Sequence, residues 1–309
     1  MRLFQVAIVG LLSSALWAQP VRVAGVISGF VFDARAGVLR PIYGVPGAAY
    51  VGEALLEGVT WASVAPDGRA ALVSREGVLA AVTDLVSFQP AWRAVENVAI
   101  KPDRAVWSED GSFALIYSSG AGAAQLIRTS QGDWAAGELL PLGTELGALA
   151  VDPQGGVIAG LAEGLYLFAP GQAPVVLARL PRATALAIWR GRVFAAGADG
   201  ELVEIQDYAG QPKALSWGTV GDVAGLAVAS DGRSLFLARP EERVIEVYDL
   251  ASRTSSLRLP VEAGPAGLEQ LTSGGIWLIT SPARPSEPLY VLKTSEQPGV
   301  WFVPVGKGE

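Results

Sequence analysis

The 309-residue chain contains no histidine and no cysteine, and these two absences exclude much of the enzyme repertoire. Without imidazole there is no Ser-His-Asp triad, no Cys-His pair and no histidine ligand for zinc, iron or haem. Without thiols there is no disulfide, zinc ribbon, iron–sulfur cluster or lipid-bearing cysteine. Asparagine occurs once, as Asn97, and the only lysines are Lys101, Lys213, Lys293 and Lys307, none in a Ser-x-x-Lys arrangement. What is left is carboxylate, lysine, tyrosine or serine chemistry, or a protein without chemistry.

Positive charge is also scarce. Lys and Arg number 23 against 30 Asp and Glu, for a net charge of −7 and a pI near 4.9. That balance argues against a nucleic-acid partner, which needs a basic face, and no polybasic membrane patch exists. What the chain does have is apolar material: 50% hydrophobic residues and a mean hydropathy of +0.36, enough for a large core.

The first 18 residues read as an export signal. Arg2 gives a short positive region, Leu3 to Leu12 is mostly apolar, and Ala18 precedes Gln19-Pro20 as the expected cleavage point. The alternative is a retained anchor, but the stretch is shorter than the ~20 apolar residues that a spanning helix needs. No later segment has that length, so residues 22–309 are expected to form one exported domain, periplasmic or extracellular, without a membrane span after cleavage.

One pattern recurs through that domain. An apolar run ends in a short polar turn, often Asp-Gly, and a second apolar run follows, as at Val64 to Ser74, Trp107 to Tyr117 and Val228-Ala229-Ser230-Asp231-Gly232-Arg233. Weaker copies stand at Asp152 to Gly155, Arg190-Gly191 and Ser273-Gly274. The turn residues 67, 110, 154, 190, 231 and 274 are spaced by 43, 44, 36, 41 and 43. Asp-Gly between alternating runs signals a tight hairpin, with positive φ at the central residues. A third strand follows each hairpin (Val78 to Thr83, Leu202 to Gln206, Val244 to Asp249). A fourth often carries tryptophan: Trp92, Trp134, Trp217 and Trp301.

Four short strands every 36 to 44 residues, with no sustained helical period, is the signature of a β-propeller blade. The expected fold is therefore all-β, a single propeller of seven four-stranded blades; the alternative is six blades plus a docked N-terminal hairpin. Residues 30–33 and 38–41 align with the third and fourth strands of a first blade. The Asp67-Gly68-Arg69 and Asp231-Gly232-Arg233 turns, with the strand ending Val247-Tyr248-Asp249-Leu250, resemble the YVTN and WD-type propeller repeats of exported bacterial proteins over about residues 60–305. The resemblance implies blades and nothing catalytic. The Gly-His and Trp-Asp pairs of true WD repeats are missing.

Most acids fall in turns or at strand ends, where Asp satisfies backbone amides. One subset is different. The second-to-third strand loops share a rim with the blade-to-blade connections, and five of them carry acids. The candidate contact residues are Glu76, Glu163, Asp199, Glu201, Arg239, Glu241, Glu242, Arg243, Arg284 and Glu287. A ring of carboxylates there focuses negative potential toward a cation or a basic partner. The other reading of these loops is ordinary hairpin chemistry facing water.

No Asp-x-Asp-x-Asp loop supports a metal. The expected function is a monomeric, cofactor-free binding or scaffold propeller recognising a protein or envelope component. The alternative is a divalent-metal-dependent hydrolase or lyase that uses central carboxylates with calcium.

Overall fold

In the described residues of the computed structural model, short apolar runs are broken by Gly and Asp turns, and no helix occurs among them. The structure describes residues 25–87, 89–130, 132–280, 289–295 and 297–305. The expected export segment, residues 281–288, among them Arg284 and Glu287, and residues 306–309 lie outside them.

Among the described residues, twenty-eight strands fall into seven groups of four. The first comprises β1 (Ile27–Asp33), β2 (Val38–Tyr43), β3 (Tyr50–Val51) and β4 (Leu56–Glu57). The second is β5 (Trp61–Val64), β6 (Ala70–Arg75), β7 (Val78–Thr83) and β8 (Ala91–Glu96). The third is β9 (Arg104–Trp107), β10 (Phe113–Ser118), β11 (Ala123–Ser130) and β12 (Asp133–Pro141). The fourth is β13 (Leu149–Val151), β14 (Val157–Gly160), β15 (Leu165–Phe168) and β16 (Val175–Ala178). Next come β17 (Ala183–Trp189), β18 (Arg192–Gly197), β19 (Glu201–Gln206) and β20 (Lys213–Thr219). The sixth is β21 (Gly225–Val228), β22 (Ser234–Arg239), β23 (Val244–Asp249) and β24 (Thr254–Pro260). The last is β25 (Gly267–Thr272), β26 (Ile276–Thr280), β27 (Leu289–Lys293) and β28 (Gly299–Val303).

From the second group on, each is an antiparallel meander in chain order. The buried side chains form seven hydrophobic clusters, each shared by two neighbouring groups, the last and the first included. That is a closed β-propeller. Its blades explain a feature the period-2 pattern does not. Second strands are covered on both faces, so β18 (Val193 to Gly197) and β22 (Leu235 to Arg239) are buried continuously, whereas outer strands such as β24 are almost wholly exposed.

The first blade departs from the alignment read in the sequence. Residues 30–33 and 38–41 stand on β1 and β2, the first two strands of their sheet, not the third and fourth. β3 and β4 then pair with opposite ends of β2 as one interrupted strand. Gly29 lets β1 approach the last blade, because a Cβ there would meet the Leu271 Cβ at 2.8 Å. Blade seven is complete, as its sequence suggests, and the chain end closes the ring on the outside: Val51 N–H donates to Pro304 O at 3.1 Å, and Val305 bridges Val51 in parallel.

The turns divide into two kinds. In the Asp-Gly turns only Gly68, Gly111 and Gly232 take positive φ, and the preceding carboxylates Asp67, Asp110 and Asp231 accept the N–H of Arg69, Ser112 and Arg233 at 2.9 to 3.0 Å. These are wider Asp-capped turns, not the two-residue hairpins that Asp-Gly suggests. The two-residue form occurs instead at Glu76-Gly77 (φ 52° and 82°) and Arg190-Gly191 (φ 42° and 77°).

Candidate binding rim and central channel

The second-to-third loops lie on one face with the blade-to-blade connections. Val220 N–H donates to Gly200 O, Leu142 to Gly122, Arg182 to Leu161 and Val261 to Arg243, at 2.8 to 3.2 Å. Exposed on this rim are Glu76 in the second blade, Glu163 in the fourth, Asp199 in the fifth and Glu241 in the sixth. Among the described residues, nothing takes up the carboxylates of Glu76, Glu163 or Glu241; Asp199 accepts the N–H of Glu201 at 3.1 Å, and Glu201 itself is half-buried. Arg243 is exposed at φ 54°. Arg284 and Glu287 fall outside the described residues.

Arg239 has a different place from the one its loop suggests. It is buried, with its guanidinium 2.5 Å from Glu246, 3.6 Å from Asp222 and paired with Glu242, which also meets Arg258. Arg239 and Glu242 are therefore spent on each other. Reading only one class of loop also missed cations on the same rim. Lys101, Arg179 and Arg182, on blade-to-blade connections, are all exposed, so the face carries mixed charge instead of a uniform acidic ring.

A second buried carboxylate also escaped the sequence reading. Glu204 in β19 and Glu246 in β23 are each an acid inside an apolar third strand, but on opposite faces of their blades: Glu204 pairs with Phe194, which faces blade six, and Glu246 with Leu237, which faces blade five. Fully buried, Glu204 accepts from Arg192 Nε at 2.9 Å, Gln206 Nε2 at 2.7 Å, Trp217 Nε1 at 3.2 Å and Arg253 Nη2 at 3.3 Å. Arg253 comes from the next blade, so the cluster is a strut between blades five and six. An acid flanked by apolar residues inside a third strand was the available signal.

The innermost strands enclose a cavity of about 820 Å³. Its wall carries four charged side chains. Arg104 begins β9, donates to Gly147 O at 2.7 Å and lies 5.9 Å over the Tyr117 ring. Glu109 and Arg190 stand in the turns after β9 and β17, the latter 5.1 Å over Trp189. Glu269 lies in the body of β25, exposed to the channel interior but surrounded by the ring, and the partial loss of bulk hydration there raises its pKa. Tyr208, also on the wall, donates to buried Asp152 at 3.0 Å; burial and then the Asp152 charge push its pKa up, so it keeps its proton as a tie between blades. Among the described residues no three acids are grouped to hold a metal ion.

No family model matches the sequence, and no curated protein matches it. Solved structures do. A functionally unknown protein from Desulfotomaculum acetoxidans DSM 771 matches with a TM-score of 0.62 at 14% identity, covering 90% of this chain and 99% of that one. The Cps50 (Swd1) β-propeller domain of Myceliophteria thermophila gives 0.60 at 14% identity, covering 82% and 88%. The hydrazine synthase of Kuenenia stuttgartiensis gives 0.52 at 12% identity, covering 77% of each chain. At such identities the likeness is one of fold alone.

Proposed function

We propose that this chain is an exported, non-catalytic propeller of the YVTN-like kind that binds a protein or envelope component through its loop rim. The observation that carries the reading is the set of exposed, uncommitted carboxylates on one face, at Glu76, Glu163 and Glu241. Strands in a ring are consumed by packing, so loops supply specificity. Rim acids interspersed with Lys101, Arg179 and Arg182 suit a protein surface of matching mixed charge, and contacts of this type set on-rate and partner choice more than affinity. The ring acts as a monomer and needs no cofactor in this reading.

The test is capture from an envelope extract by the wild type and by a variant combining Glu76→Gln, Glu163→Gln, Asp199→Asn and Glu241→Gln. The partner held by the wild type is expected to be released by high salt and lost from the variant, while both melt alike. Equal recovery by the two proteins sinks the rim reading. The metal-dependent hydrolase alternative has its own readout: a large calcium-dependent rise in melting temperature, abolished by chelator. The binding reading expects none.

A further inference from the structure

The channel is a separate surface from the rim, and Glu269 is its odd residue. Glu269 pairs with Leu278 across β25 and β26, and Leu278 packs toward the following blade; pairs that face the same way elsewhere are Ser63 with Leu72, Val106 with Leu115, and Ala150 with Ile158. Ser63, Val106, Ala150 and Leu186 all line the cavity. Among the described residues lining the cavity, Glu269 is the one acid in the body of an inner strand. The remaining wall charges, Arg104, Glu109 and Arg190, stand at strand ends, toward the two mouths. Among the described residues no hydrogen-bond donor or cation engages the Glu269 carboxylate.

Glu269 is exposed to the channel space yet surrounded by the ring, and among the described residues no cation offsets its charge. A divalent metal is a poor occupant, since hard cations take six or more oxygen ligands and one carboxylate supplies at most two. An ammonium group suits the site better. It needs one carboxylate and a few neutral acceptors, and the inner strands present unpaired backbone carbonyls along their free edges. The cavity also has the size of ordinary small-molecule sites.

We propose that the central channel binds a small organic cation, its ammonium group paired with Glu269 and its apolar body laid along Val106, Ala150 and Leu186. The ligand class is an alkylammonium ion in place of a metal or an anion. This goes beyond the rim function and does not depend on it.

Calorimetry on the full chain at pH 7 with hexylammonium, hexanol and hexanoate tests the idea. Hexylammonium is expected to bind at least about tenfold more tightly than either of the other two, and Glu269→Gln to weaken it by a similar factor while leaving hexanol unchanged. Folding is checked by melting without ligand. Because the raised pKa means that the folded state holds the Glu269 proton more firmly, the charged form costs stability above the usual carboxylate range, and Glu269→Gln melts higher at pH 7. Equal affinity for hexylammonium and hexanol overturns the proposal, as does undiminished binding by Glu269→Gln or competition by stoichiometric calcium. The fourfold rim variant retains hexylammonium binding, which separates failure of the rim reading from failure of this one.

Discussion

Replacing Glu204 with alanine is expected to lower the free energy of unfolding by about 3 kcal/mol, measured by equilibrium denaturation at pH 7. The substitution strips four donors of their acceptor at once: Arg192, Gln206, Trp217 and Arg253. Two of them are cations, and Arg192 is three-quarters buried, so the charge left behind is only partly rehydrated. Glu204→Gln keeps the shape but loses the ion pairs, and falls between alanine and wild type. Arg253→Ala costs less, about 1 kcal/mol, because that side chain is 41% exposed and water takes over its role. The pH dependence has a definite sign. Burial pushes the Glu204 pKa up, but the Gln206, Arg192 and Trp217 contacts outweigh it and leave the value below the ordinary one. The folded state therefore favours the charged form, and the contribution is complete above the ordinary carboxylate range and lost as pH falls through the depressed value. Glu204→Ala should differ most from wild type near neutrality and least in strong acid; a constant difference from pH 7 down to pH 3 sinks this account.

The parts of the ring that repeat were the parts legible in the sequence. The turns at Asp67, Asp110 and Asp231, the third strands at 78, 202 and 244, and the outer positions of Trp92, Trp134, Trp217 and Trp301 all stand where periodicity put them. The first blade was less legible because its outer strand is broken into β3 and β4, and because its main-chain joint to the last blade is only the Val51 N–H bond to Pro304 O and the bridge to Val305. Neither leaves a periodic trace. The joint between β8 and β12, which merges the outer edges of blades two and three, is a parallel pairing of Trp134 with Val95 and Ala135 with Glu96; nothing in either strand announces a partner in another blade. At the rim, loop position correctly placed Glu76, Glu163, Asp199 and Glu241 on the surface. It misread Arg239 because burial depends on Glu246 and Asp222 folding back against it, which are tertiary facts. Glu269 was missed for the opposite reason: in the strand Gly-Leu-Glu-Gln-Leu-Thr an acid looks like ordinary solvent-facing polarity, and only ring closure turns that face into a channel wall.

The tightness of that wall makes Gly147→Ala the second large loss, expected at about 3 kcal/mol, the upper end for adding a methyl group to a packed interior. Gly147 precedes β13, and a Cβ on it would lie 2.2 Å from Ala183 O and 3.3 Å from Gly160 O. Both obstacles are backbone atoms, so no side chain can rotate away. The Ala183 carbonyl is already held by Ala148 N–H at 2.7 Å, a hydrogen bond between blades four and five. A methyl group must push the two inner strands apart, loosen that bond and open the cluster of Ile158, Leu165, Leu180 and Ala183 beneath. The Gly147 carbonyl would shift with it, and Arg104 would lose its anchor at the channel mouth. Two other glycines separate this steric effect from backbone strain. Gly120 has nothing within 4 Å of its Cβ position, and Gly120→Ala should stay within about 0.5 kcal/mol of wild type. Gly171 is equally open but at φ +70°, and Gly171→Ala should cost about 1 kcal/mol through conformation alone. If Gly147→Ala falls no lower than Gly171→Ala in equilibrium denaturation, the inner strands yield more easily than their packing implies, and the channel is not the rigid wall on which a defined ligand site depends.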